Sequence, residues 1–206
     1  MLLPLVAYFI ASGKLTEFKA PGGIEARFAA TAKDTVRPAS ETIAYDDPHR
    51  GAGGWRPEAA GAEGTGNRPV AVMTMTIGGK VQYTLEDVVR YLDVLSQLRS
   101  FKLAVFLDGN KRVVAYMEAW VLKELVGQSE LAGEFIELVN SGQIESVIGY
   151  PGIAKKTIST TSTNIDALRE QEQNLEALVV VDEQRMLRGA VERERVVTSM
   201  MLSLVR

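Results

Sequence analysis

The sequence predicts an α/β fold of two βαββα modules packed with pseudo-twofold symmetry, preceded by an apolar N-terminal segment, a small hairpin and a flexible linker. Three observations point there. Apolar runs of strand length alternate with segments of helical spacing beyond Pro69; a strand–turn–strand block around Asp108 recurs around Asp182 without a gap, 74 positions on; and everything before Pro69 lacks that order. The domain boundaries that follow are 1–34 for the apolar segment and hairpin, 35–68 for the linker, 69–150 for the first repeat with an extra helix, and 151–206 for the second.

The chain opens on LLPLVAYFIA, an apolar run of about ten residues, half of the roughly 20 that a membrane helix needs. No basic flank precedes it as in a signal peptide. Three readings are open: the end of a membrane helix, a surface-embedded anchor, or a first element buried in the core. Pro21-Gly22-Gly23 followed by the alternation Ile24, Ala26, Phe28 marks a small hairpin. Lys14 and Lys19 agree with a cytoplasmic exit from a membrane. The expected location is therefore cytoplasmic, or membrane-associated with the repeats on the cytoplasmic side. From Thr35 to Arg68 periodicity disappears, and Gly, Ala and Pro dominate residues 51–66 as in a tether. His49 and Trp55 within it are isolated, as solvated linker residues are.

The first repeat begins with the β-prone VAVMTMTI at 70–77 and a Gly78-Gly79 turn. Thr84 with Asp87 makes a capping box, and Val88, Tyr91, Leu92, Leu95 and Leu98 recur at helical spacing behind it. KLAVFL at 102–107, the turn at Asp108-Gly109-Asn110 and RVVAYM at 112–117 form a hairpin, and EAWVLKELV at 118–126 forms a helix. Residues 129–142 read as an extra helix that ends at Gly142. In the second repeat Thr163 and Asp166 cap a helix, ALVVVD at 177–182 turns through Glu183-Gln184 into MLRGAV at 186–191, and the last helix runs from RERVV to the end. Glu118 then falls on Glu192. Leu103, Val105, Leu107, Ala177, Val179 and Val181 are the expected core. Met73, Met75 and Met117 are read as core fillers.

Composition excludes several chemistries. The net charge is −3, with no dense basic run, so nucleic acid is not an expected partner. The chain has no cysteine and one histidine, which removes disulfides, thiolate metal sites, cysteine nucleophiles and the usual histidine triads. Gly78-Gly79-Lys80 is too short for a phosphate-binding loop. No enzyme and no metal site is expected.

Residues 157–201 resemble a CBS domain. The features that carry the resemblance are the threonine-rich Thr157 to Thr160, the pair Ala167-Leu168, Val180-Val181-Asp182 before the turn, and Gly189-Ala190-Val191 before the last helix. Residues 70–126 carry the same order with fewer matching letters. The resemblance implies a tandem CBS pair, or Bateman module: a regulatory unit with two clefts that hold an adenine nucleotide such as AMP or ATP, or a related adenosyl ligand, and a pair that forms a homodimer through its helices. The pattern departs from the family at the family's hydroxyl and ribose-carboxylate positions. These hold Glu192 and Arg195 in the second copy, and Glu118 and Val121, after Ala115 in place of the glycine, in the first. A glutamate facing a phosphate path repels it. The simpler reading of the same glutamates is as first-turn residues favoured by the helix dipole.

Carried onto this chain, the resemblance implies a ligand site in the second copy. It would lie between the threonine-rich strand and the start of the final helix, with Lys156, Thr157, Ser159, Thr160, Gly189, Glu192, Arg193 and Arg195 as candidate residues. Only this copy combines the glycine, the hydroxyls and the cations. The alternative is an assembly module with empty clefts that builds a homodimer.

Overall fold

The computed structural model describes Thr35 and residues 71–80, 82–97, 100–170 and 175–205. The expected N-terminal anchor and hairpin, and the linker apart from Thr35, lie outside the described residues. Thr35 itself forms an isolated antiparallel bridge with Thr163. Among the described residues no helix is long and apolar enough to cross a membrane.

The first repeat runs β1 (Ala71–Thr76), α1 (Leu85–Ser96), β2 (Phe101–Leu107), β3 (Val113–Glu118), α2 (Ala119–Val126), α3 (Ser129–Ser141), α4 (Ile144–Ile148) and β4 (Ile153–Ala154). The second runs β5 (Ile158–Ser159), α5 (Asn164–Glu170), β6 (Ala177–Val181), β7 (Leu187–Glu192) and α6 (Arg193–Val205). The sheets are ordered β1-β2-β3-β4 and β5-β6-β7, and in each the first pair is parallel and the hairpin pair antiparallel. The parallel pair requires a crossover, which α1 and α5 supply.

Both crossover helices start on the expected capping boxes. Thr84 Oγ1 accepts the Asp87 amide at 3.1 Å, and Thr163 Oγ1 accepts that of Asp166 at 3.3 Å, each filling one of the amide vacancies of a helix start. Asp166 answers from its carboxylate to the Thr163 amide at 3.0 Å. The extra helix α3 stops where Gly142 takes φ +78°, a conformation that favours glycine. Gly78 sits against it, so that a Cβ on Gly78 would lie 2.9 Å from the Gly142 Cα.

The hairpins repeat at atomic detail. Leu103 pairs with Glu118 as Ala177 pairs with Glu192, Phe106 faces Ala115 as Val180 faces Gly189, and both ladders shift register at the next residue. Asp108 Oδ1 accepts the amides of Asn110 and Arg112, and Asp182 Oδ1 those of Gln184 and Met186. The positive φ in each turn falls on Lys111 (64°) and Arg185 (63°). The two tips touch across the pseudo-twofold axis. Val113 N donates to Arg185 O at 2.8 Å, and Arg185 Nε donates back to Val113 O at 3.1 Å.

The period of two along a strand divides the core. Met73, Met75, Ala104, Phe106, Ala115 and Met117 face α1, α2 and α3, whereas Val72, Leu103, Val105, Leu107 and Tyr116 join one cluster with Ala177, Val179 and Val181 of the other sheet. All six expected core positions lie in that shared cluster. Neither sheet could shed this face to water without exposing a row of side chains, each contributing about 1.5–3 kcal/mol when buried. Burial on both faces is also why β2 and β6 read as continuous apolar runs instead of alternating.

The segment between the repeats carries more structure than its sequence suggests. It contains α4, and β4 hydrogen-bonds to β3 through Tyr116↔Ala154 and Met117↔Ile153. Ile153 and Ala154 lie beyond the expected start of the second repeat at 151, yet they belong to the first sheet.

Candidate functional site

Each antiparallel hairpin ends in a glutamate at a sheet–helix junction, and pseudo-symmetry brings each junction against the start of the other repeat's first hairpin strand. Glu118 is buried, 7% exposed. Its Oε1 accepts the Glu176 amide at 2.6 Å, and its Oε2 accepts the Trp120 indole N–H at 2.5 Å. A buried carboxylate is tolerable where donors replace its lost water. Glu192 is more open. Its Oε2 meets Arg195 Nε at 2.9 Å and its Oε1 meets Lys102 Nζ at 3.8 Å, while Lys102 also reaches Glu176 at 3.7 Å. Arg193 joins the same junction through its amide, which donates to Glu176 O at 3.0 Å.

Lys102 and Glu176 were not among the residues expected at the site. They are the symmetry mates of one another, each one residue before its repeat's Leu103 or Ala177, and the 74-residue offset would have paired them. Their meeting with Glu192 and Glu118 depends on one repeat facing the other.

The structure divides the expected ligand residues into two groups. Glu192, Arg193 and Arg195 lie at the Ala177 end of β6, whereas Thr160 donates its amide to Val181 O at the opposite end. β6 spans 5 residues, so the ends are roughly 13 Å apart along the strand, and β6 itself stands between β5 and β7. The parallel register of β5 on β6, with Ser159 beside Val181, causes the separation. The Ser159 hydroxyl is also engaged in a tight turn. Ser159 Oγ contacts Thr161 Oγ1 at 2.9 Å, and Ser162 Oγ accepts the Ser159 amide at 3.0 Å. Thr157 is half-buried just before β5, and Lys156 pairs with Glu170 at 3.0 Å.

Gly189 is buried in β7 opposite Val180 and has φ +146°. Its backbone requires glycine irrespective of any ligand. In the first repeat Ala115 occupies the same register position.

Beside Glu118 stands Tyr116, on the same face of β3 two residues earlier and wholly buried. Among the described residues its hydroxyl has no hydrogen-bond partner. Burial, then the charges of Glu118 and Glu170, raise its pKa well above the ordinary phenol value. The second repeat places Ala190 at this position, so the first junction is filled where the second holds a small side chain.

Two copies of β–α–β–β–α whose sheets face each other, joined at the hairpin tips, define the class: the described residues have the architecture of a tandem CBS pair. No protein-family model and no curated protein matches the chain. Solved structures similar to it include the cytosolic domain of the Mg2+ channel MgtE in complex with ATP, at 17% identity and a TM-score of 0.43, covering 64% of this chain and 45% of that one. Another is CBSX2 in complex with AMP, at 17% identity and a TM-score of 0.42, covering 65% of this chain and 89% of that one. The CBS domains of a transcriptional regulator from Streptococcus pneumoniae match at 14% identity and a TM-score of 0.38, covering 60% and 86%. The chain thus spans less than half the length of the MgtE domain. At these identities the likeness concerns the fold alone.

Proposed function

We propose that this chain is a regulatory, ligand-sensing CBS pair. It binds an adenine nucleotide such as AMP or ATP, or a related adenosyl ligand, at the second junction and relays occupancy to a partner through the facing repeat. The observation that carries this reading is the convergence of Lys102 and Arg195 on Glu192 beside Ala190 and the start of α6. The arginine lies on the glutamate, which offsets the repulsion that Glu192 would exert on a phosphate. Both cations are partly solvated, so they are free to turn from Glu192 to an incoming anion, with Glu192 left to accept from a ribose hydroxyl. Arg193 adds a third cation on the same turn. The threonine-rich turn shapes β5 in this proposal and does not touch the phosphate.

Thermal shift and titration calorimetry of the full chain with AMP and ATP test it. Binding should be modest and should weaken roughly tenfold or more in Arg195→Ala and Lys102→Ala, the scale expected for a charge-assisted hydrogen bond. Binding that ignores both substitutions, or no thermal shift at millimolar nucleotide, would overturn the assignment.

A second reading is favoured by Trp120, which is 58% exposed on α2 although tryptophan is a preferred interface residue. In it the pair is an assembly module, and α2 meets α2 of a second copy in a homodimer. Light scattering at high micromolar concentration should give a dimer mass that Trp120→Ala reduces to a monomer; a wild-type monomer refutes it. A cytoplasmic position near a membrane remains part of the proposal through the N-terminal apolar run alone.

A further inference from the structure

The two junctions are related by pseudo-symmetry but not in the same state. At the second, long and partly solvated side chains pair with Glu192. At the first, a buried carboxylate takes a backbone amide from the other repeat and an indole N–H from its own helix. Two N–H donors converging within 2.6 Å of a carboxylate are what an anion receptor presents to an external ligand. The fully buried Tyr116 hydroxyl, without a partner among the described residues, lies on the same face and marks this junction as filled by protein in place of solvent.

We propose that Glu118 is an internal ligand: its carboxylate occupies an anion-receiving pocket made by the Glu176 amide and the Trp120 indole, latching the repeats together and closing the first cleft. The tips already hold the repeats through Val113 and Arg185 at the other end of the hairpins. Glu118 supplies the matching hold at the junction end, across 58 residues of chain. A small carboxylate such as formate is the class of molecule that fits the pocket once Glu118 is removed. The proposal deepens the reading above by leaving only the second cleft open to an outside anion, but it is tested without any nucleotide.

The test is amide hydrogen exchange at Glu176 together with the fluorescence of Trp120. The chain has two tryptophans, so a Trp55→Phe background isolates Trp120. Glu118→Ala should speed Glu176 exchange by at least about tenfold and shift the Trp120 emission. Ile136→Val, in the helix-facing core away from both junctions, should change neither. Adding formate to Glu118→Ala, against sodium chloride of equal ionic strength, should restore slow exchange and the original emission. If Glu118→Ala does not fold, Glu118→Gln carries the test, because its amide has one acceptor oxygen for two N–H donors and at least one readout must move. Unchanged Glu176 exchange and emission in the Glu118 variants overturns the latch. So does an equal loosening by Ile136→Val, which would indicate a general loss of packing. Failure of formate to restore either signal overturns the anion-receiving pocket.

Discussion

Tyr116→Phe removes a single hydroxyl from the sheet–sheet core. The side chain is 0% exposed, and its hydroxyl has no partner among the described residues, so the wild-type chain carries a desolvated polar group. Such a group costs about 1–3 kcal/mol. The void left by a hydroxyl is about 10 Å³, which at roughly 24 cal/mol per Å³ takes back only about 0.2 kcal/mol. The variant should therefore be more stable at pH 7, by about 0.8–2.8 kcal/mol, in urea unfolding with an unchanged slope. A second arm uses pH. The folded-state pKa is raised above the ordinary 10.0, first by burial and then by Glu118 and Glu170. The unfolded chain thus gives up this proton first. Stability is intact below pH 10 and falls as pH rises through the folded-state value, by about 1.4 kcal/mol per pH unit. Tyr116→Phe lacks this loss, so its advantage over wild type should widen above pH 10. A variant destabilised by 1 kcal/mol or more at pH 7 would refute the reasoning, since the hydroxyl would then have been hydrogen-bonded.

Val179→Asp places an unpaired charge in the cluster shared by the two sheets and should abolish the soluble folded state, as judged by circular dichroism and recovery; a folded variant would mean the sheets do not face each other. Gly189→Ala should cost about 1–3 kcal/mol in thermal or urea unfolding because φ +146° is strained for alanine, whereas Ala115→Gly at the matching site should cost no more than about 1 kcal/mol; equal effects would refute the conformational account. Asp182 is desolvated, which raises its pKa, but hydrogen bonds from Met186, Arg188 and Gln184 outweigh that and hold it below the ordinary carboxylate value. Its stabilisation is present above the unfolded pKa of 3.8 and is lost as pH falls through the lower folded value. Asp182→Asn should therefore be weaker than wild type at neutral pH and converge with it in acid; a constant gap across pH would refute that.

Much of this molecule was legible because its signals are local. The aspartates that open both turns, the threonines that cap α1 and α5 and the glycine that ends α3 act on amides or dihedrals within a few residues. The apolar runs of β2 and β6 announce burial on both faces. A gap-free offset between hairpins that share even their register shift made the repeat visible despite few identities. Even in the turns the residue at positive φ was hidden, because it falls on Lys111 and Arg185 and not on Gly109.

By itself, then, the sequence determined the two α/β repeats, their order and their core faces, since these rest on periodicity and short-range chemistry. Only the tertiary structure decided which charged groups meet. The separation of Ser159 and Thr160 from Arg193 and Arg195 follows from a parallel register between β5 and β6, which no letter in either strand announces. The pairing of β4 with β3 rests on two residues. The grip of Glu118 on the Glu176 amide, and the contact of Lys102 with Glu192, exist because one sheet lies against the other. Contacts of that kind join positions far apart in the chain and are set by how the repeats pack.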